Sequence, residues 1–249
     1  MSNQEQVSQL IKNTKNLHFI IEENQQLREI ILDLEKLSLK STVNLENSTQ
    51  RSEMVLLLNK KNDNYFSLLG QAYESKDMFD EAIYLYLIYL QLDPENQTYY
   101  MNLGRAYQKK GMLRESIKQY QQCIILNPQN HICYMYLGIV YQEKGMLDEA
   151  IKQYKKCIDL NPTNDVCFFN LANVLQEKGN FQEAIIFYQK CLELNPKSDK
   201  YYLGLGNAYQ QQKIRLHCLK SYLNCLQMNP KNKICSQNIN IYFARCKKR

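Results

Sequence analysis

The sequence predicts an all-α fold, a solenoid of helix–turn–helix repeats with an N-terminal helical extension. Three observations predict it. All five prolines stand on one ruler, at Pro94, Pro128, Pro162, Pro196 and Pro230, each 34 residues after the last. A fixed period of that size marks a repeat architecture rather than an ordinary domain. Apolar residues recur on the same ruler at helical spacing, in two stretches per period. The composition suits helices, with eight Gly, five Pro and no Trp, and its 45% hydrophobic content is too high for a disordered chain.

Placing each proline at position 32 gives five units: 63–96, 97–130, 131–164, 165–198 and 199–232. Positions 4, 7, 8 and 11 form one helical face, and positions 20, 24, 27 and 28 form another, so each unit reads as two amphipathic helices. Position 8 is Gly70, Gly104, Gly138, Ala172 and Gly206; position 20 is Ala82, Ser116, Ala150, Ala184 and Cys218. Small residues at a crossing let two helix axes approach. Position 24 is tyrosine throughout: Tyr86, Tyr120, Tyr154, Tyr188 and Tyr222.

The punctuation agrees. Position 34 reads Asn96, Asn130, Asn164, Ser198 and Asn232, good N-caps for the next helix. Position 31, Asp93 and then Asn127, Asn161, Asn195 and Asn229, reads as a left-handed helix end before the proline. Gly111, Gly145 and Gly179 mark the turn inside the middle units, whereas Asp77 and Lys213 stand there in the outer ones and weaken that signal.

This pattern resembles the tetratricopeptide repeat over residues 63–232, with Phe66, Tyr100, Tyr134, Phe168 and Tyr202 where the family usually has Trp. The resemblance implies a right-handed superhelix in which the first helix of each unit lines a groove for a partner. It also implies that positions 2, 5, 6, 9, 12 and 13 face that groove. The candidate binding residues are then Met101, Asn102 and Arg105; Met135, Tyr136 and Ile139; Phe169, Asn170 and Asn173; and Lys200, Leu203 and Asn207. Position 12 adds Glu74, Gln108, Gln142, Gln176 and Gln210. Asn and Gln both donate and accept hydrogen bonds, so they can hold an extended peptide backbone without reading its side chains. Asn102-Leu103-Gly104 and Asn170-Leu171-Ala172 resemble strings in the arrays of O-linked N-acetylglucosamine transferases, where groove asparagines grip substrate backbones. The two-carboxylate clamp of some family members does not fit, because Met135, Ile139 and Gly204 stand where it needs polar or basic residues.

The flanks carry less. Residues 1–42 read as a long polar helix with a short heptad seam through Leu10, Leu17, Asn24 and Ile31. Homodimerisation through that helix and folding back onto the array are both consistent with the seam. Residues 43–62 read as a linker and a decayed half repeat, and 233–249 as a capping helix with a basic tail.

Nothing in the sequence points to catalysis, a cofactor or a metal. The three histidines lack a nucleophile motif, and no phosphate-binding or zinc-protease string occurs. Four cysteines fall at position 27 and three at position 3, giving Cys-x9-Cys at Cys123/Cys133, Cys157/Cys167 and Cys225/Cys235. That spacing suits no zinc site. With no signal peptide in view, the expectation is buried thiols acting as small hydrophobes in a cytoplasmic protein, and oxidative pairing is the competing reading. The net charge of +6 is too mild to argue for nucleic acid, and no stretch is long enough to span a membrane. The expected function is a non-enzymatic adaptor or scaffold binding a protein or peptide partner. A structural subunit of a large ciliary or cell-division assembly, or the substrate-recruiting fragment of a glycosyltransferase, are the alternatives.

Overall fold

The computed structural model describes residues 63–247, and among them every element is an α-helix. Residues 1–62, with the heptad seam and the decayed half repeat, lie outside the described residues. The helices fall into two units, the first ending at Leu126 and the second beginning at Asn127. The first unit contains α1 (Asp63–Ser75), α2 (Phe79–Leu92), α3 (Gln97–Lys109) and α4 (Leu113–Leu126). The second contains α5 (His131–Glu143), α6 (Leu147–Leu160), α7 (Asp165–Glu177), α8 (Phe181–Leu194), α9 (Asp199–Gln211), α10 (Arg215–Met228) and α11 (Lys233–Lys247). In each unit successive helices pack on one another. The first helices of successive repeats also touch: α1 with α3, α5 with α7, and α7 with α9.

Helix starts follow the Asn code. Asn96, Asn130 and Asn164 accept from the backbone N–H groups of Thr98, Ile132 and Val166. Asn232 accepts from Cys235 N at 3.1 Å. Ser198 makes no such bond, so α9 begins without a side-chain cap.

First helices end in one motif throughout. At the turn after α3, Gly111 N–H donates to Gln108 O and Met112 N–H to Tyr107 O, at 2.9 and 2.8 Å. These are the paired bonds of a Schellman ending, which needs a left-handed residue between them. Gly111 supplies it with φ 80°. Asp77 (φ 59°) and Lys213 (φ 61°) adopt the same conformation, so the outer turns keep the geometry despite lacking glycine. Met78 N–H still reaches Tyr73 O, and Ile214 N–H reaches Tyr209 O, both at 3.0 Å.

Position 31 is different from its expectation. Asp93, Asn161, Asn195 and Asn229 have φ between −132° and −141° and ψ between 85° and 90°, so they are extended and not left-handed. The following proline enforces this, since its Cδ crowds the preceding residue out of helical and into extended backbone. The Asn side chain serves another purpose there. Its oxygen caps the turn, as where Thr163 N–H donates to Asn161 Oδ1 at 3.2 Å. Its amide ties the end of the repeat back to its beginning. Asn195 Nδ2 donates to Asp165 Oδ2 at 3.1 Å, and Asn229 Nδ2 donates to Asp199 Oδ2 at 2.8 Å.

The core is set by position 24. Tyr86, Tyr120, Tyr154, Tyr188 and Tyr222 are all buried, each between a first and a second helix. In four of the repeats the ring sits where position 8 is glycine: a Cβ on Gly138 would lie 2.6 Å from Tyr154 Cε1, and one on Gly206 2.5 Å from Tyr222 Cε1. Each buried ring removes roughly 150–250 Å² from water. The exposed Lys178–Asp148 and Lys110–Asp80 pairs between neighbouring repeats contribute under about 1 kcal/mol each, so ring packing dominates. At the C-terminal end, Cys235 and Ile239 of α11 are buried, whereas Ile234 and Phe243 are about half exposed.

The expectation of free thiols is corrected within the second unit. Cys157 is bonded to Cys167 and Cys225 to Cys235, because positions 27 and 3 meet where the second helix of one repeat packs on the next first helix. Cys191 and Cys218 are free and buried, as expected.

Lys213→Gly removes left-handed strain of about 1–2 kcal/mol at an entropic cost of about 0.5–1. A gain of roughly 0.5–1 kcal/mol is therefore expected in urea denaturation. The amides of Asn232 and Asn229 hold the Asp199 carboxyl below the usual carboxylate range. Its contribution is complete above about pH 4 and is lost as the pH falls through the lowered folded value. Asp199→Asn should cost less than about 1 kcal/mol at neutral pH, and the gap to wild type should close in acid titrations of stability.

Candidate functional site

The residues expected to face a partner separate into two groups with different chemistry. In the first unit they are already engaged. Arg105 makes a two-pronged ion pair with Glu74, Nε to Oε2 at 2.7 Å and Nη2 to Oε1 at 3.1 Å. The Tyr86 hydroxyl donates to the same carboxylate at 2.9 Å. Asn102 is 2% exposed, donates to Ser67 Oγ at 3.1 Å and accepts from Arg105 at 3.3 Å. This half-buried charge pair, with its hydrogen bonds made inside the unit, organises the face on which it lies. Met101 is half-buried on the same helix, α3.

In the second unit the side-by-side contacts of α5, α7 and α9 bring the remaining residues onto neighbouring first helices. Met135, Tyr136, Ile139, Phe169, Asn170, Asn173, Leu203 and Asn207 are half-buried, and Lys200 is exposed. Phe169 is committed partly to packing, between the rings of Tyr188 and Tyr201 at centroid distances of 5.9 and 5.0 Å.

The amides here are oriented from beneath. Tyr188 Oη lies 2.7 Å from Asn173 Oδ1 and 3.2 Å from Gln176 Oε1. Tyr222 Oη lies 2.8 Å from Asn207 Oδ1 and 2.7 Å from Gln210 Oε1. The Tyr154 hydroxyl donates to Gln142 Oε1 at 3.2 Å, while the Gln142 amide donates across to Glu177. Burial holds these phenols far above their ordinary pKa, so they stay neutral donors. Each tyrosine thus fills the core with its ring, while its hydroxyl meets a pair of amides at Tyr188 and Tyr222 and a single one at Tyr154.

Family models of the tetratricopeptide repeat match residues 131–197 and 97–130. The chain is a tetratricopeptide repeat (TPR) protein. Solved structures share the fold. MamA is 25% identical, covering 65% of this chain and 95% of its own, with a TM-score of 0.61. YrrB, described as a TPR protein with an unusual peptide-binding site, is 18% identical with a TM-score of 0.60, covering 77% of this chain and 97% of its own. PilF of Pseudomonas aeruginosa is 16% identical with a TM-score of 0.63, covering 74% and 89%. No curated protein sequence matches the chain.

The TPR fold makes this chain a protein-interaction scaffold. Among the described residues no cluster of His, Cys, Asp and Glu could hold a metal, and no helix is long and apolar enough to cross a membrane. His131 faces Asn161 at 3.1 Å, and His217 packs on Tyr209, so both have structural neighbours. Sequence reasoning about this TPR array missed two features. Gly204, at groove position 6, is buried under Tyr188, where a Cβ would lie 2.5 Å from the ring. The coupling of positions 12 and 24 was legible as a recurrent Glu or Gln twelve residues before each tyrosine, but helical periodicity does not reveal it, because the two residues lie on different helices.

Tyr188→Phe keeps the ring and deletes the hydroxyl. A loss of about 1 kcal/mol is expected in denaturation, with faster solvent exchange of the Asn173 side-chain amide by NMR.

Proposed function

We propose that this TPR scaffold holds an extended peptide segment of a partner along α5, α7 and α9. The observation that carries the reading is the row of amides, Asn173 and Gln176 on α7 and Asn207 and Gln210 on α9, whose orientation the buried tyrosines set in advance. An extended peptide offers a carbonyl and an N–H at every residue, and Asn and Gln can meet either group. Pre-orientation lowers the conformational cost of binding, because the side chains are ordered before the ligand arrives. Half-buried Met135, Ile139 and Leu203 add adaptable apolar contacts between the polar points. The peptide-binding description of YrrB, a protein of the same fold, supports this use of such an array. Peptide side chains would be weakly discriminated, since the amides address the backbone. The ion-paired face of the first unit is not part of this surface.

The test is affinity purification from native cells with the wild type and Asn170→Ala/Asn173→Ala/Asn207→Ala, each checked for helicity by circular dichroism. Each lost hydrogen bond costs about 0.5–1.5 kcal/mol, so partner recovery should fall by about tenfold or more. Equal recovery from a folded variant would overturn the reading.

A further inference from the structure

Within each unit, positions 27 and 3 are the contact pair where one repeat follows another, and they are filled in three ways. In the first unit Tyr89 meets Tyr99 with ring centroids 4.4 Å apart. Between α8 and α9, Cys191 and Tyr201 share one buried cluster with Phe168. At the α6–α7 and α10–α11 junctions both positions are cysteine, bonded as Cys157–Cys167 and Cys225–Cys235. Packing alone does not demand cysteine, because two tyrosines or a cysteine with a tyrosine fill the same place. A cysteine at both positions of a junction, twice in one unit, allows something the other fillings cannot, which is a covalent link. The Cα–Cα separations of 6.4 and 6.5 Å lie within the range a disulfide spans.

We propose that these two junctions are thiol–disulfide modification sites, closed and opened by exchange with a small-molecule disulfide of the glutathione class. One junction thiolate attacks the small disulfide and expels one thiolate. The second junction sulfur then attacks the mixed disulfide and expels the other. In balance, two protein thiols give up two electrons and two protons, and one small disulfide becomes two thiols. All four sulfurs belong to fully buried residues, so exchange proceeds only when the junction opens locally. A closed bond clips α6 to α7 and α10 to α11, and so suppresses that opening. Cys191 is the internal control. Its thiol has no cysteine opposite, donates to Asp165 O at 3.4 Å, and is pushed up to about 12, chiefly by burial and further by the Asp165 carboxylate. It stays a thiol under the conditions that close its neighbours.

The full chain is equilibrated in buffers of varied reduced-to-oxidised glutathione ratio, then mapped by differential alkylation and mass spectrometry, with amide hydrogen exchange followed at α7 and α11. Both pairs should pass from alkylated to bonded as the buffer is made oxidising, with Cys191 alkylated only after denaturation. Exchange at the starts of α7 and α11 should slow by about tenfold on closure. In Cys157→Ala/Cys225→Ala, exchange in those helices should no longer respond to glutathione. The proposal is overturned if all four thiols stay reduced in fully oxidised glutathione, if closure leaves exchange unchanged, or if the double variant still responds.

Discussion

The structure depends on one packing event repeated along the chain, in which a position-24 tyrosine is buried where the first helix has glycine. The ring needs the gap, and the gap has no other occupant. A Cβ at Gly138 or Gly206 would enter the ring of Tyr154 or Tyr222, so the two helices of a repeat can approach only with this pair in place. The fourth repeat tests the rule. Position 8 there is Ala172, and its tyrosine, Tyr188, packs instead against Gly204 of the following repeat. The chain keeps a glycine beside the ring and changes which helix supplies it.

The same tyrosines connect the core to the surface. Their hydroxyls emerge at positions 9 and 12, so the orientation of Asn173, Gln176, Asn207 and Gln210 is decided by side chains buried for stability. The outcome of this coupling depends on what stands at position 12. Where position 12 is Glu74, the tyrosine hydroxyl meets a carboxylate that Arg105 neutralises, and a closed polar network results. Where position 12 is Gln, the amide keeps hydrogen-bonding capacity beyond the tyrosine. One residue choice, Glu74 against Gln176 or Gln210, distinguishes a carboxylate paired with Arg105 from an amide with further hydrogen-bonding capacity.

Junctions between repeats follow a second rule. Within each unit positions 27 and 3 meet, but what fills them varies between a tilted aromatic pair, a mixed contact and a covalent bond. Shape complementarity therefore tolerates several solutions at the junction, whereas the interior of a repeat tolerates only the tyrosine and a glycine beside it.

Much of the fold was legible in the sequence, because periodicity is a one-dimensional signal. The proline ruler and the apolar faces located the helix pairs, the Asn caps and the buried tyrosines without reference to any neighbour. The turns at Asp77 and Lys213 were less legible, since glycine was missing, yet the Schellman hydrogen bonds impose the left-handed conformation there. The candidate surface was legible as a set of positions but not as chemistry. Sequence could not say that Asn102 is consumed by Arg105 and Ser67, that Gly204 is filled by Tyr188, or that Cys157 faces Cys167. Each of those depends on atoms from different helices arriving within a few ångströms. The sequence alone determined which residues lie on which helical face. Tertiary packing decided which of them remain available, because a hydrogen bond or a disulfide is a relation between two faces that no single period records.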